Sequence, residues 1–173
     1  MDPATMAQRA WDEMTIIRTL ARVAHAQDDL DYDAYRRCFT DKVQLTNAVM
    51  IPDWQGGEID AHDLAIQSFD HLARFDAVHH MVFNHIIEVN ANEATCVADL
   101  YALSVLIEEG EARSYTIGAR YFLRLRRTDD EWRIFERSIT PRYQVGDKAV
   151  LAAAAARQPI RPVKMPVDET TAQ

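Results

Sequence analysis

The composition of this chain excludes several kinds of partner. With 173 residues and 48% hydrophobic content, the chain is long enough for one domain with a substantial core. Its formal net charge of -8 disfavours nucleic acid and anionic membrane surfaces, because both require a basic face. The sequence contains no apolar run that could span a bilayer and no leader-like start, so we expect a cytoplasmic protein without membrane contact.

Helices are predicted in the first part of the chain. We expect residues 1–6 to be disordered, and apolar residues at helical spacing then predict a helix from Ala7 to Gln27. An acidic cluster at residues 28–33 ends this helix. Within the cluster, Asp31 is the predicted N-cap of a second helix from Tyr32 to Phe39.

The next segment combines a short strand, a turn and a third helix. Residues 43–45 begin the strand, and the turn at residues 52–57 carries Trp54. This tryptophan would either cap the mouth of a pocket or pack beneath it. The third helix starts at Ile59 or Asp60 and extends roughly to Arg74.

Strands dominate the rest of the sequence. Period-two alternation between polar turns predicts four long strands, at residues 78–89, 94–108, 113–127 and 132–140. Helices followed by one antiparallel meander predict an α+β fold, in which three helices pack on the concave face of a curved, cone-shaped sheet and leave an apolar pocket. This cone domain would comprise residues 7–145, and residues 146–173 would form a short helix and a proline-rich tail.

The two cysteines, Cys38 and Cys96, lie inside predicted elements and lack CxxC spacing. They are typical of small buried apolar residues in a reducing compartment. This pattern agrees with the expected cytoplasmic location.

One residue on the first long strand is a candidate acid–base group. His80 enters a core strand, where a histidine requires a polar partner, and Asp28 in the acidic cluster could supply it. The alternative is a core histidine bonded to a backbone carbonyl. Asn84 shares the face of His80 and would bond a substrate or hold a neighbouring loop. His79 and His85 fall on the opposite face, where we expect a partly exposed surface rather than a metal site, because no metal-ligand spacing is present.

Substrate-binding side chains are predicted on the inner faces of the two following strands. The residues assigned to these faces are Tyr101, Leu103, Tyr115, Ile117 and Tyr121. Such residues at period two are typical of an ordinary core, but buried tyrosine hydroxyls need partners, which an oxygenated substrate would provide. Asp99 shares the parity of Tyr101, so it would be either a buried second acid with a raised pKa or a surface carboxylate.

Four motifs stand in an order that resembles a known superfamily. They are Asp28-x-x-Asp31-Tyr32-Asp33-Ala34-Tyr35-x-x-Cys38-Phe39-x-Asp41, His80-x-x-x-Asn84, Gly118-Ala119-Arg120-Tyr121, and Asp130-Glu131-Trp132-Arg133-Ile134 with Arg137. Over residues 8–143, the chain resembles the SnoaL-like and nuclear-transport-factor-like superfamily of cone-shaped α+β folds. Within it, the motifs are most similar to those of scytalone dehydratase and hexachlorocyclohexane dehydrochlorinase.

The resemblance implies a role for each member of the predicted pair. In those enzymes a histidine removes a proton and an aspartate orients it, so His80 would be the general base and Asp28 its orienting carboxylate. Arg137 would bind an anionic group or form an ordinary structural bridge. The resemblance also implies a small-molecule substrate and a homo-oligomer, either a dimer or a trimer.

We expect chemistry that uses neither a cofactor nor a metal. The sequence has no nucleophile elbow, no P-loop and no dinucleotide-binding glycine motif. The leading hypothesis is a lyase, such as a dehydratase, or an isomerase that acts on a small apolar cyclic substrate. One alternative is a polyketide cyclase, in which the same base drives an aldol reaction. Another is a non-catalytic subunit like the small subunit of ring-hydroxylating dioxygenases, in which His80 and Asp28 would not touch.

Overall fold

A computed structural model describes residues 2–47 and 56–166. Trp54, with its predicted place at the pocket mouth, lies outside these described residues. The described helices are α1 (Pro3–Asp29), α2 (Tyr32–Arg36), α3 (Ala61–Leu72) and α4 (Ala149–Ala156). The described strands are β1 (Phe39–Asn47), β2 (Gly57–Asp60), β3 (Ala77–Asn90), β4 (Glu93–Glu108), β5 (Glu111–Thr128) and β6 (Glu131–Gly146). None of the helices in these ranges is long and apolar enough to cross a membrane.

The first helix begins earlier than the apolar spacing predicts. The Asp2 carboxylate accepts hydrogen bonds from the backbone N–H groups of Ala4 and Thr5, at 3.0 and 3.2 Å, and so caps the helix. Pro3 occupies the first helical position, where no N–H is needed. Residues 3–6 are therefore helical and exposed, which corrects the expectation that they are disordered.

Two aspartates cap the other N-terminal helices, and the cap by Asp31 was predicted. The Asp31 carboxylate accepts a hydrogen bond from the backbone N–H of Ala34 at 2.9 Å, and Asp60 accepts one from His62 at 2.8 Å. The second helix is shorter than predicted, because the chain turns into β1 at Phe39. Each cap satisfies a helix-terminal N–H group that has no partner within the helix.

The strands form one curved, open six-stranded sheet in the order β2-β1-β6-β5-β4-β3. The pairs from β3 to β6 form the predicted antiparallel meander. An additional pair, β1 with β6, is parallel and was not predicted. Together with the helices, the sheet confirms the predicted α+β cone fold.

The core lies between the helices and the concave face of the sheet. Helix α1 contributes Ile16, Leu20 and Val23, which are all buried. Near its start, the buried Asp12 carboxylate pairs with Arg127 at 2.8 Å and accepts a hydrogen bond from the Trp132 indole at 3.4 Å. This network fixes the long first helix against the end of the β5–β6 hairpin.

The chain continues beyond the sheet into α4 and an extended segment. We call residues 157–166 the C-terminal arm. Lys164 of this arm forms a parallel β-bridge with Asp31, and Val163 packs against the core. The arm therefore lies against the junction of α1 and α2.

Candidate active site

The predicted pair of Asp28 and His80 is in direct contact. His80 Nδ1 lies 2.7 Å from Asp28 Oδ1, and the backbone N–H of His80 donates to the same carboxylate at 3.0 and 3.1 Å. Asp28 lies in the last turn of α1, and Leu30 ends that helix with a left-handed backbone, φ 53°. His80 lies on β3, which packs against α1. The end of one helix and the start of one strand thus meet at a single carboxylate.

The geometry fixes how the imidazole is protonated. An ionised carboxylate can only accept hydrogen bonds, so the nitrogen that faces it, Nδ1, carries a proton. In the neutral ring, Nε2 then keeps its lone pair. The side chains of His80 and Asp28 are 7% and 15% exposed, so water competes little for their hydrogen bond. This arrangement suits a general base oriented by a carboxylate.

The inner face of β5 carries three of the predicted side chains, Tyr115, Ile117 and Tyr121, which are all buried. The hydroxyl of Tyr115 is sealed from solvent and has no hydrogen-bond partner among the described residues. Burial raises the pKa of the Tyr121 phenol, so this group stays a neutral hydrogen-bond donor at ordinary pH. The predicted inward orientation of these three residues is confirmed.

A buried cation lies on the same concave face. Arg137 on β6 pairs with Leu123, a buried inner residue of β5, and is itself only 8% exposed. Its Nη1 donates to the Tyr35 hydroxyl at 3.2 Å, and its guanidinium lies 5.7 Å from the Phe39 ring centroid. Within the described residues Arg137 forms no ion pair, and its Nε has no hydrogen-bond partner. Within these residues Arg137 therefore does not form the structural bridge that was one of its two predicted roles.

The comparison with protein families agrees with this architecture. The family model for the SnoaL-like domain matches residues 8–138. The chain belongs to the SnoaL-like domain family. None of the curated proteins matches the sequence significantly.

Several solved structures have the same fold as this SnoaL-like chain. One is the Kfla4162 protein from Kribbella flavida, which has 24% identity and a TM-score of 0.75, over 86% of this chain and 99% of that chain. Hexachlorocyclohexane dehydrochlorinase LinA-type3 from Novosphingobium barchaimii has 19% identity and a TM-score of 0.64, over 81% and 92% of the two chains. A candidate scytalone dehydratase from Novosphingobium aromaticivorans has 15% identity and a TM-score of 0.69, over 94% and 99%. At these identities the likeness establishes the shared fold.

Tyr101 and Leu103 lie on the opposite face of the sheet from His80, so the prediction that they line the inner face is wrong. Tyr101 pairs with Met81, which is 41% exposed, whereas the buried His80 pairs with Ala102. The error comes from the tight turn between β4 and β5, which pairs Glu108 with Glu111. Across such a turn, odd-numbered residues of β5 share a face with even-numbered residues of β4.

Asn84 is also on the outer side, contrary to prediction. One extra residue in β3 between Phe83 and Ile86 forms a β-bulge, and Asn84 within it has a φ of 56°. Its amide donates to Asp99 at 3.0 Å. Hydrogen bonds from Asn84 and from Arg120 lower the pKa of the Asp99 carboxyl, so Asp99 is a surface carboxylate and not a second acid.

His79 lies closer to the pair than predicted. Its side chain is 60% exposed, yet Nδ1 is 3.3 Å from Asp28 Oδ2. One carboxylate therefore receives two neighbouring histidines, one buried and one exposed. His79 is thus exposed, as predicted, although it also contacts the Asp28 carboxylate.

The two cysteines are buried and unpaired, as expected. Burial raises the pKa of the Cys38 thiol to about 12 and that of Cys96 to about 11. Neither thiol is thus an accessible thiolate nucleophile near neutral pH. In residues 2–47 and 56–166, no group of three or more His, Cys, Asp or Glu is arranged to hold a metal ion.

Proposed function

We propose that this protein is a cofactor-independent lyase, a dehydratase or a related eliminating enzyme, that acts on a small and largely apolar cyclic substrate. The observation that carries the proposal is the 2.7 Å contact between Asp28 Oδ1 and His80 Nδ1. This contact directs the free Nε2 away from the carboxylate as a proton acceptor. A carboxylate behind the imidazole also stabilises the positive charge that the ring gains when it takes a proton.

The reaction begins at a carbon–hydrogen bond of the substrate. His80 Nε2 takes the proton, and the electron pair of that bond forms a double bond to the neighbouring carbon. The leaving group departs from that neighbouring carbon with its own bonding pair. The imidazolium then returns its proton to the leaving group or to water, which restores the enzyme.

Polar groups on the inner wall support this chemistry. Arg137 is a buried cation whose one side-chain hydrogen bond among the described residues is to Tyr35, so it can bind an electronegative leaving group or oxygen substituent. Tyr115 offers a sealed hydroxyl that has no partner within the described chain. Around them, Ile117 and other apolar side chains favour a substrate with few polar groups.

The contact between His80 and Asp28 also bears on the alternatives. In a non-catalytic ligand-binding subunit we expected His80 and Asp28 not to touch, so their contact favours an enzyme. A polyketide cyclase would use the same base to form a carbanion that attacks a carbonyl carbon. The two reactions differ in product mass, because elimination releases the leaving group and an aldol closure keeps every atom.

Turnover of a panel of cyclic compounds tests the proposal. The panel contains cyclic β-hydroxyketones, halogenated cyclohexanes and linear poly-β-ketones, and mass spectrometry of the products separates elimination from cyclisation. His80→Ala should lower turnover by at least about 100-fold while thermal unfolding stays cooperative. The matched control is His79→Ala, which removes the exposed neighbour and should change turnover by less than about threefold.

Near-normal turnover in the His80→Ala variant would refute the proposal. Equal losses in both histidine variants would also count against it, since the buried ring would then have no special role. A product of unchanged mass would move the assignment to cyclisation if it came from a linear poly-β-ketone, and to isomerisation if it came from a cyclic compound.

A further inference from the structure

The C-terminal arm, residues 157–166, joins the ends of two helices on the side of the domain where Asp28 lies. It follows the SnoaL-like match, which ends at residue 138. The arm starts beside the C-terminal end of α3 and finishes beside the C-terminal end of α1. Both helix ends expose carbonyl groups that lack partners within the helix.

Arg157 holds the arm at α3. Its Nε donates to the backbone carbonyl of Arg74, and its Nη2 bonds the Asp76 carboxylate at 2.8 Å. The backbone N–H of Ile160 donates to the carbonyl of Ala73 at 2.9 Å. These contacts are typical of a structural anchor.

Arg161 makes the corresponding contact at α1, but on a residue of the candidate site. Its Nη2 donates to the backbone carbonyl of Asp28. Around this bond, the N–H of Lys164 donates to the carbonyl of Leu30 at 2.9 Å, and the N–H of Tyr32 donates to the carbonyl of Lys164 at 3.1 Å. The backbone of Asp28 and of the residues that follow it is thus bonded to the arm.

The charge of Arg161 suits this position. Helix α1 has no basic residue in its last turn, although a cation there is favourable because the carbonyls of a helix end carry partial negative charge. Nη1 of Arg161 is sealed from solvent, so water screens this charge weakly. The arm therefore supplies, from a distant part of the chain, the cation that the last turn of the helix lacks.

We propose that Arg161 is a positioning residue for the His80–Asp28 pair: through the backbone of Asp28, the arm fixes the carboxylate against the imidazole. The catalytic consequence rests on the proposed function, whereas the positioning itself does not. Because a misplacement of about 1 Å can cost about 100-fold in rate, a helix end that frays would weaken the base without removing it.

A comparison of two arginines of the arm tests this proposal. Arg161→Gln removes the bond to the Asp28 carbonyl, Arg161→Lys keeps the charge but not the planar guanidinium, and Arg157→Gln loosens the arm at α3 only. The first measurement is the NMR resonance of the His80 Nδ1 proton, which reports the bond to Asp28 without any substrate. The second is kcat and KM on a substrate found in the panel.

The expected order is clear in both measurements. Arg161→Gln should broaden or lose the resonance and lower kcat by about 10-fold with KM nearly unchanged, and Arg161→Lys should have a smaller effect of the same kind. Arg157→Gln should lower the melting temperature and leave the resonance and kcat as in the wild type. Should Arg161→Gln not fold, the comparison of Arg161→Lys with Arg157→Gln decides.

A wild-type resonance and kcat in both Arg161 variants would overturn the proposal. Equal loss in Arg157→Gln would overturn it too, because the arm would then act through general stability. If His80→Ala keeps its turnover, the proposed function fails, yet the resonance still decides whether Arg161 positions the pair.

Discussion

Replacing the Asp28 carboxylate by an amide changes the site by one charge and keeps its shape. The carboxylate receives two hydrogen bonds from His80, from Nδ1 at 2.7 Å and from the backbone N–H at about 3.0 Å. A hydrogen bond to a charged group contributes about 1.5–3 kcal/mol, and one between neutral groups about 0.5–1.5 kcal/mol. Asp28→Asn should therefore lower the free energy of unfolding by about 2 kcal/mol.

The same change should affect catalysis more than stability. An amide that presents its oxygen still holds Nδ1–H but cannot balance the charge of the imidazolium. An amide that presents its NH2 group shifts the proton of His80 to Nε2 and removes the base. In either orientation we expect turnover to fall by about 100- to 10,000-fold.

Chemical denaturation and initial rates measure the two effects on the same sample. For a chain of this size, about 2 kcal/mol corresponds to a melting temperature lower by about 4–8 °C. The matched control is Asp29→Asn, the same substitution one residue further, on an exposed side chain. It should change stability by less than about 0.5 kcal/mol. If Asp28→Asn retained turnover within about threefold of wild type, the role assigned to the carboxylate would be refuted.

Two further predictions concern Arg137 and His71. Arg137→Met should leave stability unchanged or raise it, because a buried cation with no acidic partner in the described chain is costly. The same substitution should lower kcat/KM by about 10-fold or more if Arg137 binds the substrate. Thermal melts and initial rates measure the two effects, and full activity would contradict a substrate role. Burial lowers the pKa of the His71 imidazole below 6.5, so the unfolded chain binds more protons and the free energy of unfolding should decrease as pH falls below 6.5 towards the folded pKa. Urea titrations at about pH 7.5 and 5.5 measure this loss, which His71→Phe should reduce; an unchanged loss would contradict the assignment.

The sequence was sufficient for the fold because its signals are local. Four long alternating strands and three predicted helices have lengths and turns that leave few arrangements. The start of α1 was missed although Asp2 followed by Pro3 is a helix-start signal. The parallel pairing of β1 with β6 was missed because the sequence of a short strand does not indicate which distant strand it pairs with.

The site could be predicted only in part, because strand parity does not carry across irregularities. His80 and Asp28 were found because a polar residue in a core strand demands a partner. Counting every second residue along a strand cannot detect the β-bulge at Asn84, because the bulge adds one residue without a sequence pattern of its own. Because Glu108 pairs with Glu111 across the turn between β4 and β5, the even-numbered residues of β4 face inwards. Tyr101 was therefore assigned to the wrong face.

Tyr35 shows a different limit. It was visible in the acidic motif that follows α1, but its hydroxyl became a candidate site group only when Arg137 was found beside it. The partners come from α2 and β6, which are about one hundred residues apart in sequence. The C-terminal arm is a similar case, because the spacing of its residues does not predict its hydrogen bonds to the end of α1.

If His80 removes a proton from the substrate, that hydrogen must leave the reacting carbon at each turnover, and its release can be measured. A substrate from the panel is labelled with deuterium at the reacting carbon, and the label released into water is counted for the wild type, His80→Ala and His79→Ala. This role of His80 predicts that label is lost at each turnover of the wild type and of His79→Ala, and that its release falls by at least about 100-fold in His80→Ala. Release of label by His80→Ala at the wild-type rate would contradict it.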